Sequence, residues 1–172
     1  MRTIVIGLAF MLLTGVAAMA QQPAAQAPAE EKLFGSAADV AALVAKAKAE
    51  RKDQPNIPQG LLQLAPYSVN IEYRASVGNA AIHVHQAELF YVVDGSATMV
   101  TGGKLVNETP APANAENLAG SAIEGGTTRT IAKGDFILVP ENTPHWFSAI
   151  SQTLVVMSLH VPRPVAPVPG GR

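Results

Sequence analysis

Gly78-Asn-Ala-Ala-Ile-His83-Val-His85-Gln-Ala-Glu88-Leu-Phe-Tyr-Val-Val-Asp-Gly95 decides the fold of this 172-residue chain. Its first half carries two histidines one residue apart. Side chains repeat every two residues along a strand, so His83 and His85 are expected on one face, close enough to chelate a single ion. Its second half, Leu89 to Val93, is apolar at every position. A strand with one solvated face alternates. The outer face here is therefore expected to be covered, by a helix or by a second subunit in a homodimer.

Outward from this stretch the pattern stays β. From Leu61 on, short runs rich in Val, Ile, Tyr, Phe and Thr are punctuated by Gly, Pro and Asn. The clearest are 67–75, 81–85, 88–93, 97–101, 127–131, 135–139, 145–149 and 153–161. Strands without intervening helices predict an all-β sandwich or barrel. Gly102-Gly103 and Gly125-Gly126 read as turns. Residues 107–123, polar and rich in Ala and Pro, read as a long mobile loop or a flap over a barrel mouth. Phe90, Tyr91, Phe136 and Trp146 are expected in the core.

Upstream lies one amphipathic helix. Ser36 is placed to cap it, with Asp39 in capping-box position. Val40, Leu43, Val44 and Ala47 form the apolar stripe. Such a helix must lie against something, and the outer wall of the β unit is the expected surface. Before it come a leader and a linker. Arg2, the apolar run Ile4–Leu13 and Ala18-Met19-Ala20 have the layout of a cleavable signal peptide, implying a periplasmic or secreted protein. The expected organisation is a signal peptide over 1–20, a flexible linker over 21–33, a helical segment over 34–56, the β-barrel over 57–163 and a Pro/Gly-rich tail over 164–172.

Composition excludes several functions. There is no cysteine, so a disulfide framework, a thiolate metal site and a cysteine nucleophile are ruled out. Net charge is −1, and Arg and Lys do not cluster. Nucleic acid is therefore not an expected partner, nor is a membrane surface after leader cleavage. A metal would have to be held by His, Asp or Glu.

A second stretch, Gly134-Asp-Phe-Ile-Leu-Val-Pro140-Glu-Asn142-Thr-Pro144-His145, reads as a buried strand, a tight turn and a histidine opening the next strand. Together the two stretches resemble the paired motifs of the cupin superfamily. The first family motif runs Gly, five residues, His-x-His, three or four residues, Glu, six residues, Gly. Here His83, His85, Glu88 and Gly95 follow it, with four residues between Gly78 and His83 and two between His85 and Glu88. The second runs Gly, five residues, Pro-x-Gly, two residues, His, three residues, Asn. Gly134, Pro140 and His145 match it. Asn142 stands at the turn glycine, a residue that tolerates positive φ, and Ala149 at the closing Asn. The similarity spans roughly residues 60–162.

The resemblance implies a jelly-roll β-barrel with one divalent metal ion (Fe, Mn, Zn, Ni or Cu) held by His83, His85, Glu88 and His145. Glu88 is alternatively a general base beside the metal. His160 lies outside both motifs and reads as an ordinary satisfied histidine or a pocket residue. The family implies dioxygenases, decarboxylases, isomerases and lyases on this scaffold, and also proteins without activity. Two functions stay open: a metal-dependent enzyme acting on a small organic substrate, and a non-catalytic module that binds a small ligand.

Overall fold

The structure, a computed structural model, describes residues 30–163. The leader over 1–20, most of the linker over 21–33 and the tail over 164–172 lie outside the described residues.

Helix α1 spans Ala37–Glu50 and starts as its sequence predicts. The Ser36 hydroxyl accepts from the Asp39 N–H at 3.1 Å, and the Asp39 carboxylate accepts from the Ser36 N–H at 2.8 Å. This reciprocal box satisfies two donors that the first turn would otherwise leave unpaired. Val40, Leu43, Val44 and Ala47 pack on Leu61, Ile71, Tyr73 and Val155, which lie on the outside of the β unit. An apolar groove of about 560 Å³ runs between this stripe and the sheet.

The strands are β1 Asn56–Leu64, β2 Tyr67–Arg74, β3 Ala80–Ile82, β4 Gln86–Thr101, β5 Lys104–Val106, β6 Thr109–Ala111, β7 Asn114–Gly120, β8 Ala122–Glu124, β9 Thr127–Ala132, β10 Phe136–Val139 and β11 His145–Pro162. Four of the expected runs are thus two long strands. β4 and β11 pair antiparallel along their lengths, from His145 opposite Thr101 to Pro162 opposite Gln86. The ladder slips between Ser151 and Leu154. There Gly95 has φ +84° and Gln152 φ +67°. At this corner the ribbon folds over, and each half joins a different set of strands. One set runs β1-β2-β11-β4-β10. The other runs β6-β7-β3-β11-β4-β9.

The inner faces meet in one core. Phe90, Val92, Ile137, Val139, Leu154 and Val156 come from the first set, and Ala97, Met99, Ile131 and Phe147 from the second. The result is the all-β jelly-roll fold with one helix outside it. Hydrogen bonding among the described residues does not close it into a continuous ring.

The corner makes one prediction. A Cβ on Gly95 would overlap the Thr153 carbonyl oxygen, and φ +84° is already strained for an L side chain. Gly95→Ala should destabilise the protein by more than about 1 kcal/mol in urea unfolding. A variant as stable as wild type would show that the corner is looser than this.

Three expectations need correction. Strand β3 ends at Ile82, and residues 83–85 form a bend rather than the end of a strand. Residues 107–123 are not a loop: β6 and β7 extend the second sheet through Leu118 and Ala119, and β5 pairs with β8. Backbone groups there pair with each other across these two ladders despite the polar composition. Phe136 is not core. It is 68% exposed on the outer face, 4.6 Å from the Tyr91 ring, while its neighbours Ile137 and Val139 point inward.

Candidate metal centre

The inner wall near one end of the ribbon carries three imidazoles around one carboxylate. Glu88 is the third residue of β4 and lies directly opposite His160 on β11. Its side chain points inward with Phe90 and Val92 by the two-residue repeat. His145 opens β11 after the turn at Asn142, whose φ of +53° is the left-handed conformation expected there. His83 follows β3, and its carbonyl accepts from the Asn142 N–H at 2.8 Å.

Glu88 is the hub. Its Oε1 accepts from His160 Nε2 at 3.0 Å. Its Oε2 lies 3.1 Å from both His83 Nε2 and His145 Nε2. Those two contacts are close without being aligned hydrogen bonds, so Oε2 is buried with no true donor, and His83 Nδ1 is buried with no partner. Ligand atoms of His83, Glu88 and His160 lie within 4.8 Å of one another. Glu88 is only 3% exposed and His145 6%.

The electrostatics follow. Burial pushes the Glu88 carboxyl up, but the contacts from His145, His160 and His83 outweigh it and hold the group well below the ordinary carboxyl range. The Glu88 carboxylate in turn raises the His160 imidazole above its ordinary value, against the effect of partial burial. A buried carboxylate oxygen without a donor, faced by imidazole nitrogens, fits a cation. Three imidazoles and one carboxylate form a donor set suited to Fe, Mn, Zn, Ni or Cu.

Of the residues singled out in the sequence, His83, Glu88 and His145 are brought together. His85 is not. Because 83–85 is a bend, its exposed ring turns away from His83 and lines a surface groove of about 230 Å³ with Gln86, Asn114, Glu116, Asn117, Pro162 and Arg163. Beside it the Arg163 guanidinium forks onto Glu141, with both N–O distances 2.7 Å. His160, read from the sequence as an ordinary satisfied histidine or a pocket residue and outside the expected ligand set, takes a place in the cluster. A signal existed. Leu154, Val156, Ser158 and His160 alternate with the outward Val155 and Met157, so the core face of β11 already points His160 inward.

A family model described as Cupin matches residues 46–165. The chain belongs to the cupin family. No curated protein matches this cupin. Among solved structures it is similar to KdgF from Halomonas sp., at 17% identity over 65% of this chain and 84% of that one, with a TM-score of 0.47. A protein from Bacillus halodurans gives 17% identity, 70% and 80% coverage and a TM-score of 0.45. Hydroxypropylphosphonic acid epoxidase from S. wedmorenis gives 16% identity, 62% and 50% coverage and a TM-score of 0.46.

Within this cupin the motif register can now be read from the geometry. Counted back from Glu88, four residues separate it from His83. That is the family spacing for the second histidine of His-x-His. The first histidine position is then Ala81, which lies directly opposite His145 across the β3–β11 ladder. The third imidazole of the cluster comes instead from the far end of β11, as His160.

Proposed function

We propose that this cupin is a metal-dependent enzyme acting on a small organic substrate, with one divalent ion held by His83, Glu88, His145 and His160. The observation that carries the reading is the convergence of three imidazoles on the buried Glu88 carboxylate, one of whose oxygens lacks a donor. Structural histidines are normally satisfied by hydrogen bonds, and an orphaned carboxylate oxygen at 3% exposure is costly unless something cationic reaches it. A bound ion would supply Lewis acidity, polarising a substrate oxygen or lowering the pKa of a water. The protein residues hold it in place, and Phe90, whose ring centroid is 6.0 Å from that of His145, keeps the inner side apolar. The partial exposure of His83 and His160 leaves the approach on their side.

The test is metal content by elemental mass spectrometry on protein purified without a histidine tag. Wild type and His85→Ala should both carry about one equivalent, and His83→Ala should carry none. Loss of metal from His85→Ala with retention in His83→Ala would return the site to the His83–His85 pair.

A second reading is a non-catalytic module that binds a small ligand. The near-complete burial of Glu88 and His145 favours it, since the only carboxylate of the cluster is closed to a substrate proton. A metal-loaded protein that binds small organic acids or sugars without converting them would select this reading. Export to the periplasm or medium rests on the leader motif, and fractionation of the source cells tests it. A homodimer rests on the open outer face, where Phe136 and Leu138 are 68% and 64% exposed, and light scattering tests it.

A further inference from the structure

We infer that Gln86 is the positioning residue of the metal centre: its side-chain carbonyl pins Nδ1 of His160, so that Nε2 is the nitrogen offered to the ion. The inference rests on the metal-centre reading above.

The geometry is a fork. Gln86 and Glu88 are two residues apart on β4 and so project from the same face. His160 stands opposite Glu88 on β11. Gln86 Oε1 lies 3.2 Å from His160 Nδ1, and Glu88 Oε1 lies 3.0 Å from His160 Nε2. One ring is thus spanned by two side chains of the neighbouring strand. A side-chain carbonyl oxygen can only accept, so Nδ1 must carry a proton to satisfy it. Nε2 faces the cluster and donates to Glu88 in the metal-free protein; with Nδ1 held by Gln86, it is the nitrogen whose proton a cation would replace.

The three imidazoles are held differently. His145 Nδ1 lies 3.2 Å from the Thr143 backbone carbonyl, which no substitution removes. His83 Nδ1 is buried with no partner. His160 alone is oriented through a replaceable side chain. Partners of this kind fix ring orientation and raise ligand basicity, and their loss typically costs about 10–100-fold in metal affinity.

Two readouts test it on the full tag-free protein, with zinc as the probe. Competition against a chelator at fixed pH should show Gln86→Met, of similar length but without the acceptor, binding zinc about 10–100-fold more weakly. Gln86→Glu restores an acceptor and should bind at least as tightly as wild type. In the metal-free protein at mildly acidic pH, proton NMR should show a slowly exchanging His160 ring N–H at Nδ1. That signal should vanish in Gln86→Met and persist in Gln86→Glu. Equal zinc affinity in Gln86→Met, or an unchanged ring N–H, would overturn the inference. Failure of wild type to bind zinc, with a ring N–H that still depends on Gln86, would overturn the metal-centre reading and leave the pinned ring standing.

Discussion

Glu88→Gln should weaken metal binding by more than about 100-fold, beyond the cost of losing an outer partner, and should move the metal-free protein's stability in a pH-dependent way. The sign follows from two shifts of opposite kind. The Glu88 carboxyl is depressed in the folded state, so its contribution is present above the ordinary carboxyl value of 4.5 and is lost as pH falls through the folded value. The His160 imidazole is raised, so its contribution is complete below the ordinary 6.5 and is lost as pH rises through the folded value. Both are fully present between about 4.5 and 6.5. The deficit of metal-free Glu88→Gln should therefore peak in that window, at about 1.5–3 kcal/mol for a charge-assisted hydrogen bond. It should shrink on either side. Metal reverses the trend, because it needs the imidazoles neutral. The melting-temperature gain on adding zinc should grow as pH rises above 6.5 and fade in acid. Scanning calorimetry from pH 4 to 8, with and without zinc, checks both curves. A deficit independent of pH would mean that Glu88 supports the fold by packing alone.

The second large effect lies in the core. Phe147→Ala should destabilise the protein by about 3–5 kcal/mol, measured by urea unfolding. Phe147 is buried where the two sheets meet. Its ring stands edge-on to Phe90 with centroids 5.3 Å apart, and the Arg74 guanidinium lies 4.7 Å over its face. That arginine is tied to the buried Glu72, whose other oxygen accepts from Ser158 Oγ at 2.7 Å. Truncation leaves a cavity and removes the surface on which Arg74 rests. Phe136→Ala is the matched control and should change stability by less than about 0.5 kcal/mol. A Phe147→Ala loss as small as that of the control would mean that the core collapses to fill the space.

The fold was legible in the sequence because its signals are local and agree. The Ser36–Asp39 box, the Val40–Ala47 stripe and the strand runs each decide their own segment; strands without helices between them give a sandwich or barrel, and the jelly roll among these is what the cupin resemblance implied. The site was legible only in part. His145 and Glu88 were reachable because the turn at Asn142 and the strand to Gly95 keep the family spacing. His85 lies apart from the cluster because the two-residue repeat holds only within a strand, and the chain bends at 83–85 before β4 begins. His160 needed the parity of a strand counted from Leu154 at its far side. Phe136 shows a further limit: an aromatic residue in an apolar run belongs to one face or the other, and Phe136-Ile137-Leu138-Val139 does not say which is inside. Gln86 gave no sequence signal, since its role exists only across the β4–β11 ladder.

His145 and His160 are borne by one strand, yet both reach the same carboxylate because the ribbon doubles back at Gly95 and Gln152. The chain between them therefore works as a ruler. Changing a residue on the outside of that ruler should leave the two rings facing each other across Glu88. Removing or adding a single residue between Ser148 and Thr153 would exchange the inner and outer faces of everything beyond it, sending one ring outward and an aliphatic side chain into its place. In this molecule the separation of the two histidines along the backbone itself determines whether both rings reach Glu88, and variation within the lineage should spare its length more strictly than its composition.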